Sequence, residues 1–282
     1  MSHLHRRTLL KSSAFGLLAA SLPNLAFARS DRFVSPQQND MPHAGYPSLD
    51  KELVSEVVGK SHFDLDRVKE IVNQRPELSR SVWDWGFGDF ESAIGAASHV
   101  GREDIVRFLI SRGARPTLFT HAMLGQYEVV KATCEANPGI QRVEGPHGFN
   151  LMFHARIGLR IEGRTPQEKE QSQRMVDYLE QLGDADPTIE STDLAEADKQ
   201  AYLGDYKYGD RPEDGFSVQL NMRKLLALGK IGSFGGALFC VGPDTFRYNG
   251  TSSVTITFQR KLDQVVSLTL EEPGLSLVAT KV

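Results

Sequence analysis

Few residues in this 282-residue chain stand at spacings that do chemistry. Ser48-Leu49-Asp50-Lys51 fits S-x-x-K, in which a lysine helps to activate a serine nucleophile for acyl transfer. Neither K-T-G nor S-D-N follows, and the match stands just before a helix-period segment. Ser48 and Lys51 therefore read as a helix start, where a side-chain oxygen accepts from free backbone N–H groups. His99, His121 and His154 fall in successive short helical segments, which places neighbours about 10 Å apart across a stack. That is too far to share a metal ion whose ligands stand at ~2 Å. His147 reaches His154 only through one particular loop geometry. The histidines read as structural or solvent-facing, and no metal or cofactor is expected. No G-x-S-x-G, H-E-x-x-H, C-x-x-C or P-loop occurs, and Gly86-Phe87-Gly88 begins a dinucleotide fingerprint that fails at Glu91. No enzyme is expected.

Binding chemistry has one candidate. The stretch Trp83-Asp84-Trp85-Gly86-Phe87-Gly88-Asp89-Phe90 holds both tryptophans of the chain beside two glycines. Trp83, Trp85 and Phe87 are candidate contacts for a protein partner, because large aromatics on a loop are what a binding hot spot requires. The same rings could instead fold down over the exposed end of the first helical unit.

The elements that would position these residues follow from composition and period. With 40% hydrophobic and 24% charged residues the chain has the makeup of a globular protein. Its 32 basic against 36 acidic residues leave no excess to neutralise a phosphate backbone, so nucleic acid is not an expected partner. Region 1–28 reads as a signal peptide: His5-Arg6-Arg7-Thr8-Leu9-Leu10-Lys11, an apolar run from Ala14 to Leu22, and a cleavage site after Ala28. The run is too short for a membrane anchor. Arg6 and Arg7 in this order resemble the twin-arginine export signal; the other reading is an ordinary secretory signal. A periplasmic or secreted bacterial protein is expected. Region 29–47, poor in apolar residues, reads as a disordered leader. Cys134 and Cys240 fall in a helical and a strand pattern and read as two separately buried thiols.

Region 48–188 repeats a frame of two short helices. Ser92 to Ala114 contains Ala96-Ala97 where two helices approach, Gly101 at the turn between them, an Ile105, Val106, Leu109, Ile110 stripe, and Gly113 as a terminating cap. Gly125 to Lys131 repeats Gly101 to Arg107. This frame resembles the ankyrin repeat, which implies about four stacked units with protein recognition through loop tips and the concave helix face. Upstream, Leu53 to Val58 pairs with Asp64 to Val72. Downstream, Gly148 to Ala155 pairs with Met175 to Gly183 after a polar insertion from about Ile161 to Gln173.

An acidic helical stretch, Glu190 to Lys199, is expected next. In region 200–282 the period then becomes two, as in Phe216 to Leu220, Val254 to Phe258 and Val266 to Leu270. Turn signals such as Asn249-Gly250 and Pro273-Gly274 separate six to eight antiparallel strands. Tyr202 to Tyr206, Phe246 and Leu275 to Val282 resemble the small lipocalin-like β-domain appended to exported peptidases and β-lactamase-like proteins, which implies an accessory role.

The expected fold is thus α+β: an ankyrin-like helical repeat solenoid followed by a small antiparallel β-barrel or sandwich. The expected function is non-enzymatic protein binding or scaffolding. Alternatives are a carrier of a small apolar ligand, with Leu225, Leu226, Leu228, Leu238 and Phe239 lining the β-domain, and an accessory subunit of an exported enzyme.

Overall fold

Each helix must satisfy its first free N–H groups, and here short polar side chains do so repeatedly. In the computed structural model, which describes residues 43–187, 190–233 and 235–282, α1 (Lys51–Lys60) opens on the Asp50 carboxylate, which accepts the Glu52 N–H. The cap is therefore Asp50 rather than Ser48. Asp64 caps α2 (Leu65–Gln74) in the same way. A hairpin of β1 (Val82–Asp84) and β2 (Phe90–Ser92) follows, with Trp83 opposite Glu91. Ser92 ends the hairpin and caps α3 (Ala93–His99), leading to α4 (Glu103–Ser111). Next come α5 (Leu118–Met123), α6 (Tyr127–Ala136) and α7 (Leu151–Leu159), then the long α8 (Pro166–Leu182).

The turn between helices repeats atom for atom. The N–H groups of Gly101, Arg102 and Glu103 donate to Ser98, Ala97 and Gly101 carbonyls, and those of Gly125, Gln126 and Tyr127 donate to Ala122, His121 and Gly125. Gly101 and Gly125 occupy the left-handed region, at φ of 76° and 70°, which an L side chain adopts only with strain. The turn thus needs glycine at both places. The first helices α1, α3, α5 and α7 pack in a row, while α2 packs on α4 and α6 on α8. On α4 the fully buried Ile105, Val106 and Leu109 face this layer, each contributing roughly 1.5–3 kcal/mol of burial.

Two expected boundaries move. The polar insertion is mostly helix, because Thr165 and Glu168 form a reciprocal capping box that starts α8 at Pro166. The acidic stretch is helical only in α9 (Glu196–Lys199). Thr192 donates its N–H to the Cys240 carbonyl, which pins that segment in extended form against the strands.

Eight strands then close an antiparallel barrel: β3 (Gly204–Lys207), β4 (Gly215–Leu220), β5 (Leu226–Lys230), β6 (Gly236–Gly242), β7 (Thr245–Tyr248), β8 (Thr251–Lys261), β9 (Gln264–Glu272) and β10 (Leu275–Lys281), with β10 pairing back on β3. Of the two sheet architectures expected, the barrel is the one formed. Tyr202, Tyr206, Phe246 and Phe258 meet edge to face among buried Leu228, Leu238 and Leu268. The interior of an eight-stranded barrel is just wide enough for side chains to fill or for one small ligand, and these rings occupy part of it.

Among the described residues no helix is long and apolar enough to cross a membrane. Both cysteines are free thiols, Cys134 on α6 and Cys240 on β6. Arg6, Arg7, Ala28 and the export signal lie outside the described residues, as does most of the expected leader.

Candidate metal centre

Four side chains that sequence spacing did not connect converge in the helical part. His62 sits in the turn between α1 and α2, Glu91 in the middle of β2, His99 at the last residue of α3, and His147 in the loop before α7. Strand alternation explains Glu91: Phe90 is exposed, while Glu91, like its cross-strand partner Trp83, turns inward. One ligand atom from each of the four lies within 4.8 Å of all the others. The expectation of no metal ligands considered His99, His121, His147 and His154, whereas the structure groups His99 and His147 with His62 and Glu91. His121 instead bonds to Gln126, and the buried His154 bonds to the Asn150 carbonyl beside Phe119. Burial pulls the His154 imidazole down to about 4, so it stays neutral at pH 7.

Hydrogen bonds to the outer atoms set the inner ones. His62 Nδ1 lies 3.0 Å from the Gly59 carbonyl, which can only accept, so Nδ1 carries the proton and Nε2 faces inward. His147 Nδ1 donates to Asp89 Oδ2 at 2.7 Å, again turning Nε2 inward. The Trp85 indole N–H donates to Glu91 Oε2 at 2.8 Å and fixes the carboxylate plane. His147 stands at φ 61°, and Asp89 holds it there by also accepting its backbone N–H through Oδ1 at 2.8 Å. Imidazoles tied down through their outer nitrogen, and a carboxylate tied down through one oxygen, are how proteins orient metal ligands.

The distances around Glu91 fall near those of such a group. Glu91 Oε1 stands 2.9 Å from His99 Nδ1 and 3.4 Å from His147 Nε2, and Oε2, which also accepts from Trp85, stands 3.5 Å from His62 Nε2. Bonds of 2.0–2.1 Å to a tetrahedral ion place neighbouring ligands about 3.3 Å apart. Despite their closeness, Glu91 Oε1 and His99 Nδ1 are both buried without a properly aligned hydrogen bond. Both atoms are thus buried at ion-pair distance with their hydrogen-bonding capacity incompletely used by the protein.

Electrostatics point the same way. Burial would raise the Glu91 carboxyl, but the His147 and His99 imidazoles outweigh it and hold the group well below the carboxylate range. Burial would lower His147, yet the Asp89 and Glu91 carboxylates push it up to about 9. His62 is pulled below its ordinary value, chiefly by burial. The cluster thus stabilises positive charge, which a proton on His147 supplies in the metal-free protein and an ion could supply in its place.

The aromatic loop divides its residues between two surfaces. Trp83 and Trp85 are half-buried against the helical core, and Trp85 also holds Glu91. Phe87 turns to the barrel, meeting Tyr248 edge-on at 4.8 Å. The exposed aromatic of the hairpin is Phe90, at 63%. His62 and Glu91 were not singled out by the sequence pattern; the one available signal was a Ser-His pair where a first helix ends or has just ended, Ser61-His62 and Ser98-His99, in two adjacent units. No family model matches the chain, and comparison with curated proteins finds no match.

Proposed function

We propose that this chain is a metal-binding protein in which His62, Glu91, His99 and His147 hold one divalent ion of the zinc class. The observation that carries this reading is the pair of buried, unsatisfied ligand atoms, Glu91 Oε1 and His99 Nδ1, inside a four-donor set. Three imidazoles and one carboxylate suit zinc or a neighbouring first-row metal, whereas calcium and magnesium prefer six or more oxygens. Four protein ligands complete a tetrahedron, which is the pattern of a structural ion. Its task is to staple the first helix turn, the hairpin and the loop before α7 into one framework, with no reaction assigned to it.

That framework is best described as a set of ankyrin-type units, a reading supported by the repeated glycine turn at Gly101 and Gly125. A location outside the cytoplasm is supported by the reading of region 1–28 as an export signal. Partner binding is retained as a second reading on one observation: the outer hairpin face presents Phe90 and Val82 to solvent, while Trp83 turns inward.

Calorimetric titration of untagged, metal-stripped protein tests the metal reading. Zinc should bind at one site per chain, magnesium should not, and H99A/H147A should remove the site. Wild-type protein without saturable zinc binding, or a double variant that binds as tightly, would refute it.

A further inference from the structure

The loops that deliver two of the four donors both rest on one turn of the barrel. Residues 85–90 lead into Glu91, and residues 145–150 carry His147. Between β7 and β8, the Asn249-Gly250 turn meets both. Thr251 donates its hydroxyl to the Phe87 carbonyl at 3.3 Å. A Cβ built on Gly250 would stand 3.0 Å from the Gly148 nitrogen and 3.4 Å from Asp89 Oδ1. Asp89 is 4% exposed and links the loops, since its two oxygens accept the backbone and ring N–H groups of His147. One carboxylate therefore stands beside the barrel turn, where a side chain on Gly250 would meet it, and holds His147 on its other side.

We propose that the barrel regulates the metal centre: seating of the Gly250 turn against Asp89 and Gly148 holds His147 in its ligating position, so barrel docking and metal affinity are coupled. This rests on the metal reading above. Coupling between two sites is reciprocal, so metal must also steady the barrel turn.

The test compares two barrel glycines in the full untagged protein. Gly250 and Gly274 both have left-handed φ, 65° and 85°, but a Cβ at Gly274 meets nothing within 4 Å. Alanine strains the backbone at either place and reaches the centre's supports only at Gly250. Zinc affinity, measured by competition with a chromophoric chelator, should fall tenfold or more in Gly250→Ala and stay within twofold of wild type in Gly274→Ala. Asp89→Asn should weaken zinc by about 10–100-fold, the usual cost of losing a partner that orients a ligand. Hydrogen exchange on wild-type protein needs no variant: zinc should slow exchange in residues 248–252. Unchanged affinity in Gly250→Ala together with zinc-independent exchange in that turn overturns the coupling and leaves the metal reading standing. Wild-type protein that binds no zinc overturns both.

Discussion

Saturating zinc should raise the unfolding midpoint of the metal-stripped protein by about 8–16 °C. An ion that binds only the native state adds about 4 kcal/mol when its free concentration is 1,000 times Kd. In a domain of roughly this size each kcal/mol moves the midpoint by about 2–4 °C. The donors come from the α1–α2 turn, β2, α3 and the 145–150 loop, so unfolding scatters them and releases the ion. Glu91→Gln should abolish the rise, because an amide keeps an acceptor for the Trp85 N–H but loses the charge that meets the ion. Scanning calorimetry with zinc and with chelator checks both statements. A rise of equal size in the variant would contradict them.

The second large effect concerns Arg164, buried where α4, α5, α7 and α8 meet. Its guanidinium donates to Glu103 Oε2 at 3.0 and 2.8 Å, to the Gly158 and Met123 carbonyls at 2.9 Å each, and to Ser172 Oγ at 2.5 Å. Arg164→Met keeps much of the apolar volume and leaves two carbonyls and a shielded carboxylate without their donor. Breaking a buried pair from one side costs about 3–5 kcal/mol. The loss here should fall near the lower figure, because Arg107 still pairs with Glu103. Arg164→Lys should recover little of it, since one ammonium cannot span donors that a planar fork reaches together. Urea unfolding measures the difference, and a change below about 1 kcal/mol would show that the network is not what joins these helices.

Local signals made much of the scaffold readable. Gly101 and Gly125 mark turns because the backbone there is left-handed, and the alternation in Val254 to Phe258 marks a strand with one buried face because side chains alternate across a sheet. The partial failure at Glu190 to Lys199 has a local cause too: helix-forming residues were present, but Thr192 found a hydrogen-bond partner on β6. The candidate metal centre had no such signature. Its four donors share no period, and each lies in a turn, a hairpin, a helix end or a loop, so only the stacking of separate helix pairs brings them together. Trp85 stood out by type, yet its task as the donor that orients Glu91 depends on a hairpin register that spacing alone does not reveal.

X-ray absorption at the zinc edge of the loaded, untagged protein tests the centre most directly. The account expects only nitrogen and oxygen neighbours, four of them at about 2.0–2.1 Å, with outer-shell scattering from three imidazole rings. A sulfur neighbour at about 2.3 Å, which would bring in Cys134 or Cys240, or a shell without imidazole scattering, would contradict it.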